Sequence, residues 1–448
     1  STQAKTLFPY TTLFRSYQVI PIQPALDWSA WNVQNDPRTE ETSAPGTGGD
    51  PALGLAKAVE MCNNNGHCRK FDAGTMCPSY RVTRDEKHLT RGRANTLRLA
   101  LSGQLGPDAL TSDELIDSLS LCVGCKGCKR ECPTGVDMAR LKIEVTHQVR
   151  QKKGLRLRER LVATLPDYAR HAARLSGLLN LRNQMPWLAA LTERVLGLSA
   201  RRSLPTWESR HFFNRGTMGV SAQEALASNQ SVVLFVDTFN GHFESETASD
   251  AFKVLSAAGY DVHIAAKTPA GHGANQGHLC CGRTYLSTGL VEQARTKARE
   301  LLAALQPFAE KGIAIVGLEP SCLLTLRDEY AVLGLGDAAD LVAQHSLLLE
   351  EFLARELKAG RLDGLKARLS TINQPILVHG HCHQKAFGLV PDLMEIVKLL
   401  PGAAPRLIES SCCGMAGSFG YEQEHHEVSM QMAELSLLPA VRSSPDAL

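Results

Sequence analysis

The sequence predicts an α+β multidomain chain, an all-helical domain followed by an α/β region built on an internal repeat. Three observations carry this. Up to about Arg150, cysteine groups alternate with apolar residues at three- and four-residue spacing. From about Ser231, short apolar runs alternate with long helical patterns. Within that region Cys280-Cys281-Gly282 recurs as Cys412-Cys413-Gly414. A chain of 448 residues has room for two or three domains of about 150 residues each.

In the first part, Thr90–Leu101 and Val136–Val149 carry the helical apolar spacing, and Ser112 before Glu114 and Leu115 marks a helix start. Between these helices Cys122, Cys125, Cys128 and Cys132-Pro133 follow the spacing Cys-x2-Cys-x2-Cys-x3-Cys-Pro. That is the bacterial ferredoxin signature for a cubane [4Fe-4S] cluster. Three thiols two residues apart wrap one corner, and the fourth, turned away by proline, reaches a neighbouring cluster. Zinc, which also takes four thiolates, is the rival ligand. The domain therefore reads as an all-helical, ferredoxin-like cluster domain.

An earlier group, Cys62, Cys68 and Cys77-Pro78, has irregular spacing. If the crossover holds, Cys77 joins Cys122, Cys125 and Cys128. Cys62, Cys68 and Cys132 are then left to a second, three-thiolate site, with His67 or water on its open iron. The same three thiols could instead be merely buried. Lys126, Lys129 and Arg130 lie inside the cluster loop. As cations they would raise its potential or dock an anionic partner; as ordinary surface residues they would be solvated. Arg84, Arg91 and Arg93 flank the first group; salt bridges pinning the cluster domain to its neighbour read as well as a substrate role, and Arg91 and Arg93 do not share a helix face. Gly46-Thr47-Gly48-Gly49 follows no strand and opens no helix, so it is not read as a nucleotide loop. Residues 151 to about 215 are basic, amphipathic and helical in pattern.

The α/β part has strand-like runs at Ser231–Phe239, Asp261–Ala266, Gly312–Leu318, Pro375–His381 and Arg406–Glu409. Helical patterns such as Leu286–Leu305 and Leu341–Leu357 lie between them and imply a largely parallel sheet. Aligning Val236 with Val378 sets Asn240 opposite Cys382. Cys322 completes the first repeat; the same offset from Cys413 falls beyond Leu448, so the second repeat is expected to be cut short. Cys280, Cys281 and Cys322, and likewise Cys382, Cys412 and Cys413, are candidate metal ligands at strand ends. His379, His381 and His383 alternate, so an extended strand would put them on one face and Cys382 on the other. Singly each reads as a core or loop histidine. Together beside a thiol they point to a metal or active-site role, with His379 and His383 as ligands.

Composition sets the limits. The 13 cysteines are odd in number and clustered at ligand spacing rather than spread as a disulfide framework, which indicates a reducing, cytoplasmic setting. Net charge of +2 gives no electrostatic case for nucleic acid. No apolar run approaches the ~18 residues of a membrane span, which leaves peripheral attachment at the inner face of a membrane open. Thr6–Ser16 (TLFPYTTLFRS) matches the in-frame translation of a common sequencing-adapter oligonucleotide, so residues 1–16 are expected to be non-native. Residues 17–50, rich in Pro, Asn, Asp, Thr and Gly, read as a linker with Trp28 and Trp31 as anchors. The expected domains are the cluster domain 51–150, a helical connector 151–225, and repeats at 226–360 and 361–448.

The paired Cys-Cys-Gly units behind a ferredoxin-type domain resemble the cysteine-rich domains of heterodisulfide reductase B-like proteins and of the glycolate oxidase iron–sulfur subunit. CNNNGHCRKFDAGTMCPSYRVTRDEKHLTRGRANTLR and LCVGCKGCKRECPTGVDMAR are similar to the C-terminal half of fused FAD-linked D-2-hydroxyacid dehydrogenases of the D-2-hydroxyglutarate/D-lactate type. The resemblance implies that an FAD-binding domain of the same polypeptide precedes residue 17. It also implies that a D-2-hydroxy acid gives hydride to FAD there, and that electrons pass through the cluster to a quinone or soluble carrier. On this reading no catalytic residue lies in this chain, and it would not turn over substrate alone. Asn240 at a usual cysteine position and the absent last thiol depart from the pattern. Two rivals are a separate electron-transfer subunit, and a thiol-disulfide reductase of the heterodisulfide type acting at the Cys-Cys-Gly sites. A purely structural, docking role for the repeats is the plain alternative.

Overall fold

The computed structural model describes residues 20–31, 50–72, 74–215, 218–266 and 278–448. The Gly46–Gly49 run, the adapter-like tract and most of the expected linker lie outside them. The chain divides into two units, one ending at Gly154 and one running Leu155–Leu448.

Among the described residues the first unit is helical throughout, with α-helices Leu55–Glu60, Pro78–Thr83, Thr90–Leu101, Asp113–Ser120, Gly127–Glu131 and Met138–Lys153. Local chemistry sets their starts. Pro78 occupies the first helical turn, where a missing N–H costs nothing. Ser112 accepts from the Leu115 N–H at 3.3 Å, and Asp137 from the Arg140 N–H at 3.0 Å. The anchoring expected of Trp28 has a specific partner. The Glu144 carboxylate, buried on the last long helix, accepts from the Ala25 and Leu26 N–H groups and from Trp28 Nε1 at 3.3 Å.

The second unit opens with helices Leu157–Ala163, Leu165–Arg174, Ser176–Gln184 and Pro186–Leu196. It continues into parallel strands β1 (Ser231–Phe235), β2 (Asp261–Ile264), β3 (Ala314–Gly317) and β4 (Ser346–Leu348), in the order β2-β1-β3-β4. A second parallel pair joins β5 (Ile376–Val378) to β6 (Pro405–Leu407). Each expected strand is present over fewer residues than its apolar run, and where β1 and β5 stop a polar turn takes over at the carboxyl end. Asp237, for example, accepts from the Phe239 and Asn240 N–H groups and starts a helical turn. Val232, Leu234 and Val316 of the sheet pack on Leu255 and Phe352 to form the core.

Two expected helices are interrupted. Leu341–Leu357 contains β4, flanked by helices Asp337–His345 and Leu349–Lys358. Ser346 turns its hydroxyl back to the Val342 carbonyl at 2.7 Å, and Glu351 takes the Leu348 N–H, so one helix ends and another starts around a three-residue strand. Apolar residues on both sides hide the break. Leu286–Leu305 is likewise divided near Gly289, whose φ is +81°. On the free side of β5, Leu448 donates to the Pro375 carbonyl and accepts from the Leu377 N–H, at 2.8 and 2.9 Å.

The His211, His242 and His278 rings cluster at the first helical turn after β1, His211 tilted to His242 at 4.6 Å and His242 edge-on to His278 at 5.1 Å between centroids. Neither ring nitrogen of His211 or His242 has a hydrogen-bond partner among the described residues. Burial pushes His242 down to about 3 and His278 down to about 4, and lowers His211 too. These rings are therefore neutral in the folded chain, while in the unfolded chain they titrate near pH ~6.5. Between those limits the unfolded chain binds more protons, so stability falls as pH drops from about 6.5 toward 4. Urea midpoints measured from pH 7.5 to 5 are expected to fall, and to fall less steeply in His242→Phe. Parallel curves would remove the histidines as the cause.

Candidate metal centres

Cys77, Cys122, Cys125 and Cys128 line one cavity of the first unit, together with Arg93 and Lys126. The loop from Cys122 turns at Gly124 and Lys126, both left-handed at φ +61° and +59°, and Cys128 follows in the Gly127–Glu131 helix. Cys77 comes from the other cysteine group. Glu131 holds the two together: its carboxylate accepts from the Thr75 and Met76 N–H groups at 2.6 and 3.2 Å and pairs with Lys70 at 2.8 Å. Lys126 is 2% exposed, so the solvated alternative does not apply to it. Lys129, by contrast, is partly exposed and 3.8 Å from Asp137.

The three flanking arginines separate in role. Arg91 pairs with Glu86 at 2.7 Å, as expected of a salt-bridging residue, and Arg84 covers the Phe71 ring at 3.7 Å. Arg93 does neither. It is 1% exposed and donates to Cys77 Sγ at 3.4 Å, Ser79 Oγ at 2.8 Å and the Ser118 carbonyl at 2.9 Å. The salt-bridge expectation is corrected here. The signal was available in the spacing: Leu89, Arg93, Leu97 and Leu101 recur every fourth residue on one buried stripe, and an arginine on that stripe needs a buried anion. Burial alone would raise the Cys77 thiol. The Arg93 charge and hydrogen bonds from Ser79 and Arg93 outweigh it and bring the pKa below the ordinary thiol value. Cys128 is instead pushed far up by burial, with the Asp137 charge adding to it.

The other cysteine group is less irregular than its spacing suggests. Asn64 and Gly66 are left-handed at φ +62° and +75°, as Gly124 and Lys126 are, and a helical turn follows each loop. In this shared register Cys62 matches Cys122, Cys68 matches Cys128, and Asn65 stands where Cys125 does. Asn65 was missed in the sequence; Cys-x2-Asn-x2-Cys was its trace. Its Oδ1 accepts from the His67 N–H at 2.8 Å, and both side chains are exposed. Cys62 and Cys68 are buried, and burial raises Cys68 to about 11. Cys132 is lowered instead: burial opposes, but the Thr134 hydroxyl and the N–H groups of Val136, Thr134 and Gly135 point at its sulfur.

In the second unit each Cys-Cys-Gly forms the same turn. Gly282 and Gly414 are left-handed at φ +83° and +81°, and each donates its N–H to the first cysteine of its pair, Cys280 or Cys412, at 3.3 Å. Hydrogen bonds run from Cys280 to Cys281 to Cys322 among the first set of thiols. Donation to Cys281 and burial raise Cys280; Cys281 is lowered by the bond from Cys280, but its own donation to Cys322 and burial raise it well above the ordinary thiol value. Donation from Cys281 pulls Cys322 down, but burial and the Asp237 charge hold it at about 12. In the second set Cys382 and Cys412 sulfurs are 3.8 Å apart. Cys413, hydrogen-bonded by Cys412 and His379, is depressed well below the ordinary thiol range. Asn240, opposite Cys382 in the repeat, gives its amide to the Asp237 carboxylate at 2.7 Å.

The histidine arrangement departs from the extended strand expected. β5 ends at Val378, and His381 caps a helix over Cys382–Phe387: its Nδ1 accepts from the His383 N–H at 3.1 Å, and Gln384 reaches back to the His381 N–H at 2.7 Å. This capping box replaces the alternation. His379 stays with the thiols through Ser410 and Cys413, while His383 stands edge-on to His381, centroids 5.2 Å apart.

Residues 58–136 match the 4Fe-4S dicluster domain, so the chain is an iron–sulfur protein with a ferredoxin-type cluster region. Over 427 residues it is 26% identical to D-2-hydroxyglutarate dehydrogenase of Escherichia coli (strain K12), covering 86% of this chain and 40% of that protein. It is 24% identical to the glycolate oxidase iron-sulfur subunit of the same organism, covering 89% and 88%. A subunit of the anaerobic glycerol-3-phosphate dehydrogenase of Escherichia coli (strain K12) is 27% identical over 254 residues, covering 56% and 60%. The chain thus spans about 40% of the length of the D-2-hydroxyglutarate dehydrogenase it matches. No solved structure matches it. The resemblance read from the motifs holds: these relatives are dehydrogenases or the iron–sulfur subunits of oxidases and dehydrogenases.

The two glycine turns give a stability test. A Cβ at Gly414 would lie 2.1 Å from the Ser429 carbonyl oxygen, against 3.0 Å from the Ala294 oxygen at Gly282. Left-handed strain of about 1–3 kcal/mol applies to alanine at either site, and the backbone clash adds to it at Gly414. Gly414→Ala is expected to lower the urea midpoint more than Gly282→Ala; equal midpoints would contradict this.

Proposed function

We propose that this chain relays electrons within a flavin-linked oxidoreductase that oxidises a D-2-hydroxy acid of the 2-hydroxyglutarate, lactate or glycolate class. FAD would sit on a partner domain, and the acceptor would be a quinone or soluble carrier. The observation that carries the reading is the cavity where Cys77, Cys122, Cys125 and Cys128 meet around a buried guanidinium whose hydrogen bonds reach a thiol and no carboxylate. The donor set suits an anionic thiolate centre and leaves Arg93 with a counter-charge. A bound cubane cluster would supply one-electron storage with little change of shape. The four cysteines would hold it, Gly124 and Lys126 shape the loop, Glu131 ties the two cysteine groups together, and Arg93 with Lys126 offsets negative charge.

Cys62, Cys68 and Cys132 would hold a second cluster, with the Asn65 side chain or water at the position of the missing thiolate. The shared backbone of the two loops and the dicluster match support this. We read residues 51–150 as the cluster domain, 151–225 as a connector, and 226–360 and 361–448 as two Cys-Cys-Gly repeats. Cys382, Cys412, Cys413 and His379, bordered by His383, are the richer candidate metal set, since Asn240 replaces a thiol beside Cys280, Cys281 and Cys322. Iron, acid-labile sulfide and low-temperature EPR on oxygen-free protein test the assignment. About four irons with one cubane signal fit a single relay centre, and about seven or eight with a second signal fit two. Zinc without sulfide would overturn the reading. Cys125→Ser should abolish the cubane signal and acceptor-linked turnover in protein carrying its flavin domain; normal turnover would end the relay proposal.

We further propose that the chain works at the inner, cytoplasmic face of a membrane. No helix among the described residues is long and apolar enough to cross one. Support for surface attachment comes from Leu178, Trp187 and Val195, 63%, 65% and 63% exposed; the helix of Trp187 and Val195 also carries the exposed Arg194. Co-sedimentation with vesicles containing anionic lipid is expected, weakened several-fold in Trp187→Glu. Binding that is absent, or unaffected by Trp187→Glu, would count against this face.

A further inference from the structure

Arg93 is the one arginine of the cluster domain whose three hydrogen bonds, all in the interior, go to Cys77 Sγ, Ser79 Oγ and the Ser118 carbonyl. None of these partners is a carboxylate. A guanidinium keeps its charge at any ordinary pH, and burying it without an anion is strongly unfavourable. Glu144, a buried carboxylate of the same unit, meets its requirement with N–H donors. Arg93 can meet its own only with negative sulfur, and its positive field reaches Cys122 and Cys128 as well as Cys77. Other charges bear on the cavity as well: Lys126 lines it, Arg81 acts on Cys77 and Cys125, Asp137 acts on Cys128 with the opposite sign, and burial lowers His88. Of the cations among the described residues, only Arg93 is seen to hydrogen-bond a cavity sulfur.

We propose that Arg93 is a positioning residue for the thiolate centre, orienting Cys77 and raising the reduction potential of what the four cysteines hold. Taking up one electron adds one negative charge inside the cavity, and a fixed cation 3.4 Å from a ligand sulfur favours that charge. The inference rests on the cluster reading given above and adds to it a named source of the potential. A purely structural role, a wedge joining the Thr90–Leu101 helix to Ser79 and Ser118, would leave the potential unchanged.

The test is an EPR-monitored redox titration of the full chain, prepared without oxygen, as wild type, Arg93→Lys and Arg93→Met, with iron and sulfide measured on each. Arg93→Met is expected to shift the reduction equilibrium at least tenfold toward the oxidised form, about 59 mV for a one-electron couple. Arg93→Lys, which keeps the charge, should recover most of that shift. Iron lost from Arg93→Met but kept by Arg93→Lys also supports the charge requirement. A cluster-bearing Arg93→Met with wild-type potential overturns the proposal, and so does equal iron loss in both variants, which marks the side chain as a wedge. Wild-type protein without iron and sulfide would instead remove the cluster reading itself.

Discussion

The first unit is organised around a positive charge shut away from water. The three donors of Arg93 bind two segments: Ser79 and Cys77 at the start of one helix, and Ser118 near the end of another, just before the Cys122 loop. A guanidinium is rigid and planar, so three such bonds fix relative positions as well as energy. An uncompensated buried ion costs several kcal/mol, so the chain can close around Arg93 only if the sulfur side of the cavity is negative. Structure and chemistry are coupled there, because the contact that completes the packing is also the one that sets the charge of the site. Glu144 solves the mirror problem with N–H donors from Ala25 and Leu26, which ties the segment before the cysteines to the Met138–Lys153 helix.

The second unit uses a different device. Its sheets are parallel, and the residues of interest follow carboxyl ends of strands: Asp237 and Asn240 after β1, Cys322 after β3, His379 and Cys382 after β5, Cys412 and Cys413 after β6. Parallel strands bring such ends to one edge, which is why open α/β sheets bind ligands there. The buried core of Val232, Leu234 and Val316 supplies rigidity and leaves the turns free to carry polar groups.

Features written in local spacing were legible. The four-thiol signature, the Thr90–Leu101 helix, the Ser112 cap and the parallel character of the sheet all follow from neighbours within a few residues. What escaped depends on contacts far along the chain or on local competition. β4 is hidden because Leu347 and Leu348 suit a helix as well as a strand, and only the Ser346 and Glu351 hydrogen bonds decide. The three alternating histidines suit a strand until Gln384 closes a capping box on His381. Arg93 looked like its neighbours because nothing adjacent to it names Cys77, sixteen residues back, as its partner.

The glycine turns explain how two copies of one unit can part ways. The shape of each Cys-Cys-Gly turn rests on a left-handed glycine and on an N–H to sulfur bond within three residues. The position held by Asn240 in one copy and Cys382 in the other lies on a different segment and contributes nothing to that turn. Either a thiol or an amide can therefore stand there with the turn intact, and Asp237 receives the amide where Asn240 is present. The side chain at that position and the shape of the turn are thus set independently, so the chemistry near each turn can differ while the backbone stays the same.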